Sequence, residues 1–227
     1  MATVKDGSSV KRSVLLGARM RFSPTGANIR EEAIQRILEQ NLAATETKRG
    51  LTEGELRHVL ELGGNMPYGF HMNNSPAQIS RETDDVDRPI ILVSSSGTQL
   101  LLNARESKGT YIACFRNLSA ISSYLAGRHD RVAILGAGTR GQFRREDQMG
   151  CAWVAERLIQ AGYRAEDPQT SEYVAKWKGV SPEEVRGGRS AEYLRKSGQE
   201  QDLEFILGHI DDLETVPALI NGELVAK

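Results

Sequence analysis

Cysteine is nearly absent from this chain: there are two in 227 residues, Cys114 and Cys151, both in apolar segments. Two thiols cannot build a disulfide framework or a Cys-rich zinc module. No apolar run approaches the roughly 18 residues of a membrane span. The opening MATVKDGSSVKR also lacks the apolar centre of a signal peptide. Charge of one sign is missing too: 29 Lys plus Arg stand against 30 Asp plus Glu, for a formal net charge of -1. Such a surface gives no electrostatic footprint for duplex nucleic acid or an anionic membrane. Solenoid repeats, with periods of about 20 to 50 residues, are not found. The four histidines, His58, His71, His129 and His209, show neither H-x-H nor H-E-x-x-H spacing. The G-x-S-x-G signature of a serine hydrolase is absent. These absences lead to the expectation of a soluble, cytoplasmic globular protein without nucleic-acid or membrane partners.

What is present is an alternation of apolar runs and amphipathic segments. The run Val14–Ala18 reads as a first strand, with RMRFSPTGAN as the loop after it. Ile29, Ala33, Ile34, Ile37, Leu38 and Leu42 fall near helical spacing, and Thr52 with Glu55 reads as a capping box. Ser75 before Pro76 predicts a capped helix start. Ile90–Val93 has the β-branched continuity of a strand buried on both faces. Helices are predicted around Leu100–Ala104, over Asn117–Leu125 and from about Glu146 to Ala161, and further strands at Tyr111–Phe115 and Val132–Leu135. Repeated strand–helix alternation predicts an α/β fold, a mainly parallel sheet with flanking helices, arranged as one unit or as two lobes around a cleft. Residues 1–165 form the expected α/β core. Residues 166–227 form a mostly helical part with a cap at Ser181, a stop at Gly198, and a final strand over Thr215–Ile220 before the tight turn Asn221-Gly222.

Ligands of open α/β sheets sit where strands end and helices begin. Three such places are polar and glycine-rich. They are Arg21 to Gly26 with Ser23, the Ser94–Thr98 turn with Ser95, Ser96, Gly97 and Thr98, and the Gly136–Gly141 loop with Gly138. Free backbone N–H groups, hydroxyls and arginines are the components of a phosphate or sulfonate site. Hydroxyls and glycines also serve simply to turn chains and cap helices. Gly136, Gly138 and Gly141 formally match G-x-G-x-x-G, but no apolar strand precedes the acids at Glu166 and Asp167, which argues against a dinucleotide site. Glu146 and Asp147, one turn beyond the loop, are placed to handle a metal ion or water, with Glu61 as a further ligand candidate. Mg²⁺ favours one or two carboxylates plus water and phosphate. Acids are also favoured at helix starts for their own sake. Asp202, Asp211 and Asp212 are assigned to the surface, and Trp153 and Trp177 to packing.

Six segments, taken in order, resemble the 2-phosphosulfolactate phosphatase family: GFHMNNSP (69–76), IILVSSSGTQLL (90–101), FRNLSAISSYL (115–125), VAILGAGTRGQFRREDQMGCAW (132–153), LRKSGQEQDLEFIL (194–207) and TVPAL (215–219). The resemblance implies a magnesium-dependent phosphatase that hydrolyses 2-phospho-3-sulfolactate to sulfolactate and phosphate, a step towards coenzyme M. It brings Asn74, Ser75 and Asn117 into the candidate substrate site beside the residues above. A small anionic phosphate or sulfonate substrate and a homodimer are the expected partners. The family pattern differs at Ala18, where it carries aspartate, at Ser96, where it carries asparagine, and at Gly136, where it carries cysteine. Those differences motivate the alternative of a catalytically degenerate relative that binds an anionic metabolite or a protein.

Overall fold

The structure is a computed structural model that describes residues 2–4, 19–23, 74–81, 97–138 and 142–227. Among the described residues the centre is a 16-residue helix, and three shorter helices precede it: α1 (Pro76–Ile79), α2 (Gly97–Asn103) and α3 (Leu118–Leu125). Helix α4 (Arg145–Gln160) buries Met149, the run Cys151–Ala155, and Leu158. Five consecutive buried residues mean that the helix is covered on every side over that stretch, as an apolar stripe alone would not require. Helix α3 lays Leu118, Ile121 and Leu125 against it, and α5 (Pro168–Trp177) contributes Val174 and Trp177. Trp153 and Trp177 are packing residues as expected, with the Trp153 indole N–H donating to the Trp177 carbonyl at 3.0 Å.

Among the described residues four strands form a sheet beside this helical centre. β1 (Ala2–Val4) pairs in parallel with β2 (Arg19–Ser23), with Thr3 opposite Arg21. β2 pairs antiparallel with β3 (Val132–Leu135), with Arg21 opposite Ala133, and β4 (Arg164–Ala165) closes antiparallel onto β1 and β2. Arg21 and Ser23, expected in a loop past the first strand, are therefore inside a strand. The segment Arg-Met-Arg-Phe-Ser alternates polar and apolar residues with the period of two that a strand requires. Ile90–Val93, the run that most suggested parallel pairing, lies outside the described residues, as does Val14–Ala18.

Tyr111–Phe115 does not form the expected strand. It makes one bridge, Tyr111 to Ala218, and the Ile112 N–H donates to Pro217 O at 2.9 Å. The reason is Asn117. Its Oδ1 accepts from Cys114 N–H at 2.8 Å and its Nδ2 donates to Ile112 O at 3.2 Å, so the side chain takes groups that a ladder would use.

The C-terminal third follows its local signals. Asp167 caps α5 through Thr170 N–H at 2.7 Å. Ser181 and Pro182 open a 3₁₀ turn, Pro182–Gly187, and α6 (Arg189–Lys196) stops before Gly198 at φ +71. Helix α7 (Glu200–Gly208) then leads to a hairpin of β5 (Pro217–Ile220) and β6 (Glu223–Ala226). Its turn residues Asn221 and Gly222 both have positive φ, +52 and +88, as a two-residue type I′ turn needs.

Candidate functional site

The site begins where β3 ends. Gly136, Ala137 and Gly138 form a half-buried loop, and Gly138 has φ +64. A Cβ there would lie 2.8 Å from the Gln142 carbonyl oxygen, so only glycine fits without rearrangement. The Gly138 N–H donates to Asp147 Oδ2 at 2.8 Å, tying the loop to the first turn of α4. The hydrogen bond and the helix start both favour a charged carboxylate. Burial outweighs them and, with Glu146 alongside, pushes the Asp147 carboxyl up to about 6. One turn along, the Cys151 thiol is fully buried and pushed up to about 12, by burial first and Asp147 second. A thiol held in that form is no nucleophile at neutral pH.

Glu146 carries the other distinctive feature. Its Oε2 is buried without a hydrogen-bond partner. Gly188, the residue before α6, lies against it: a Cβ at Gly188 would be 3.6 Å from that oxygen. The same helix start is rich in cations. Arg145 Nη1 donates to the Glu184 carbonyl at 2.9 Å, Arg189 Nη1 donates to Gln142 Oε1 at 2.6 Å, and Arg144 occupies the N-cap position of α4. The Arg144 Nε is buried with no hydrogen bond of its own. Carboxylate oxygens are groups that a hard divalent cation takes as ligands, and arginines are groups that bind a phosphoryl oxygen. Among the described residues no group of three or more His, Cys, Asp or Glu is placed to hold a metal ion. One or two carboxylates are nevertheless the usual protein share for Mg²⁺, the rest being water and phosphate. Glu146 and Asp147 fit that share. Glu61 lies outside the described residues.

The other sequence-derived candidates are distributed differently. Asn117 is 2 % exposed, and besides its bonds to Cys114 and Ile112 it donates to Thr215 O at 3.0 Å. It staples two loops and presents no free group to a ligand. Ser75 is also buried. Its hydroxyl donates to Asp202 Oδ1 at 2.6 Å and accepts from Gln78 N–H at 3.1 Å. Asn74 beside it is exposed, as is Gly97 at the start of α2, and Thr98 is half-buried. Ser95 and Ser96 lie outside the described residues, and for Arg21 and Ser23 only the strand pairing is described. Gly138 binds Asp147 through its N–H, which is therefore not available to an anion.

Sequence reasoning missed Asp202. It was assigned to the surface and is 2 % exposed. Its Oδ1 accepts from the Ala77 N–H at 3.0 Å as well as from Ser75, binding α1 to α7. Its position in a helix with Leu203 and Ile206 was the only available signal. Asp211 is likewise not a bystander. Its carboxylate takes the Ser119 N–H at 2.6 Å and Arg157 Nη2 at 3.0 Å, and the Ser119 and Arg157 groups hold it below the usual carboxylate range. A shallow depression of about 440 Å³ lies there, lined by Ser119, Ser123, Asp211, Asp212 and Glu214 among others. Asp211 already occupies the start of α3, and the acidic lining repels an oxyanion.

Comparison with known proteins points the same way as the loop chemistry. A family model described as 2-phosphosulpholactate phosphatase matches residues 33–222. A Thermotoga maritima protein named probable 2-phosphosulfolactate phosphatase is 30% identical over 167 residues, covering 74% of this chain and 72% of its own length. A protein of the same name from Thermotoga petrophila matches with the same identity and coverage. One from Symbiobacterium thermophilum is 27% identical over 161 residues, 69% of this chain and 68% of the relative. The described residues contain no helix long and apolar enough to cross a membrane.

Proposed function

The chain belongs to the 2-phosphosulpholactate phosphatase family, and from that premise we propose that it is a phosphoric monoester hydrolase acting on 2-phospho-3-sulfolactate or a closely related small phosphate ester in the cytoplasm. The loop Gly136–Gly138 and the first turn of α4 are the proposed reaction site. The observation that supports this siting is the pair Glu146 and Asp147. One oxygen of Glu146 is buried without a partner, and the neighbouring carboxyl is held near 6 beneath the loop.

The two carboxylates have different tasks. Asp147, poised near neutral pH, is suited to take a proton from an attacking water or to return one to the departing alcohol. Its bond to Gly138 fixes its orientation relative to the loop. Glu146 is the candidate ligand for Mg²⁺, which when bound neutralises phosphoryl oxygens and lowers the pKa of bound water. Arg144, Arg145 and Arg189 surround the same helix start and favour a dianion there, with the sulfonate as a second anionic handle. A net charge of -1 supports a small-molecule substrate over a nucleic acid.

A second reading is kept because Gly136, where the family carries cysteine, stands in the loop itself. A relative that binds the anion without hydrolysing it would retain the loop and lose turnover. The test is phosphate release from 2-phospho-3-sulfolactate and a panel of small phosphate esters, with and without Mg²⁺. Turnover that falls at least about 100-fold in Glu146→Gln and in Asp147→Asn is expected. Absence of turnover in the wild type, with thermal stabilisation by sulfolactate or phosphate, establishes the binder instead. Full activity in both variants removes the site from α4.

A further inference from the structure

Among the described residues the β5–β6 hairpin presents an unpaired sheet edge. Lys227 N–H donates to Val216 O at 3.0 Å and Val216 N–H donates to Lys227 O at 3.4 Å, which fixes the phase of the ladder. Backbone groups alternate in direction along an antiparallel strand. With Val216 opposite Lys227, Ala218 opposite Val225 and Ile220 opposite Glu223, the groups of Glu223, Val225 and Lys227 face β5. The N–H and C=O of Leu224 and Ala226 therefore point away from it, and no described strand receives them. All four residues of β6 are exposed, Leu224 at 44% and Val225 at 39%, and Ile220 next to them is 37% exposed. Among the described residues neither Glu223 nor Lys227 makes an ion pair. A hairpin with an open edge and exposed apolar side chains is marginal alone and invites a further strand.

We propose that the further strand is β6 of a second copy of this chain, laid antiparallel across a two-fold axis to make a continuous β5-β6-β6-β5 sheet. The strand's own chemistry sets the register. Within β6 the outward backbone groups are those of Leu224 and Ala226, and setting Leu224 opposite Ala226 of the second copy, and the reverse, uses all of them. That arrangement places Val225 against Val225 on the axis, in the non-hydrogen-bonded position where side chains lie closest. It also places Glu223 opposite Lys227 of the second copy, twice, so that each unpaired charge meets its opposite. Sliding by two residues either way keeps the backbone bonding parity but separates all four charges. Sliding by one residue misdirects the backbone groups. Self-complementarity of this kind is the mark of an isologous interface. A foreign strand would have no reason to match it. One pair of short strands buries little surface, so the dimer is weak and concentration-dependent.

Sedimentation velocity across a concentration series is the first measurement, with circular dichroism to confirm folding. A monomer–dimer equilibrium is expected. Glu223→Lys should raise its dissociation constant about tenfold or more, because two attractions become two repulsions. The double exchange Glu223→Lys with Lys227→Glu should restore it. The register is read by crosslinking in a Cys114→Ser background with copper phenanthroline as oxidant. Val225→Cys should give a covalent dimer, and Leu224→Cys, which faces Ala226, should not. A protein that stays monomeric throughout the series overturns the proposal. So does a dimer that ignores Glu223→Lys and leaves Val225→Cys uncrosslinked.

Discussion

Asp147 shows how one side chain is set by opposing forces. A place in the first turn of a helix and a backbone N–H should lower its pKa, yet burial lifts it from 3.8 to about 6. The folded protein then holds this proton more tightly than the unfolded chain does. Between about pH 4 and 6 the folded state binds more protons, so this group's contribution to stability falls as pH rises through that window. Keeping it ionised at pH 7 costs the fold up to about 3 kcal/mol. Asp147→Asn retains an oxygen for the Gly138 N–H and cannot ionise. Urea denaturation of the two proteins should give equal stabilities near pH 4. The variant should become more stable by about 1–3 kcal/mol at pH 8. A difference that does not grow with pH would show that the carboxyl titrates as it does in water. Activity should move the other way. If Asp147 is the base, wild-type kcat/KM rises with pH through about 6, and the variant loses both the rate and that inflection. Added Mg²⁺ should shift the wild-type inflection down, since a nearby dication favours the charged form.

At the scale of single elements, α1 is the informative case. Four residues, Pro76–Ile79, are too few to hold a helix by their own hydrogen bonds. Ser75 caps it, and Asp202 of α7 accepts from both the Ser75 hydroxyl and the Ala77 N–H. The cap was legible in the sequence, because Ser before Pro is a local signal. Its acceptor was not, because 127 residues separate the two partners and nothing local marks Asp202 as buried. The same limit applies to Asn117. Its place before a helix was readable, but its hold on Ile112 and Cys114, which prevents the expected strand, depends on a chain path that periodicity does not encode. The reverse error at Arg19–Ser23 has a local origin: the apolar run of residues 14–18 outweighed a true alternation behind it. For α1 the expected outcome is specific. Ser75→Ala should destabilise the protein by about 1–3 kcal/mol, combining a lost cap with a buried carboxylate deprived of a donor. Hydrogen exchange should localise the loss to residues 74–81 and the facing turn of α7. Uniform loss of protection would instead mean that α1 unfolds only with the whole protein.

At the largest scale the described residues are organised around α4, and here the sequence was read correctly for a reason that also limits it. The buried residues of α4 mix the small Cys151, Ala152 and Ala155 with the larger Met149, Trp153, Val154 and Leu158. An apolar run of this kind predicts a buried helix without saying which neighbours bury it, because no single stripe is left to face one partner. Asp147 and Glu146 stand on the first turn of the same helix and share its packing. Ala155 is fully buried, at 0% exposure, so Ala155→Leu adds volume where none is free. It should destabilise the protein by about 1–3 kcal/mol, and it should also lower kcat although it lies two turns from the carboxylates. Ile159→Ala, on the exposed part of α4, controls for helix composition and should leave both quantities within about 0.5 kcal/mol of the wild type. If Ala155→Leu lowers stability and leaves kcat and the pH inflection untouched, the first turn of α4 is held by its loop and by Gly188 rather than by the packing of the helix below it.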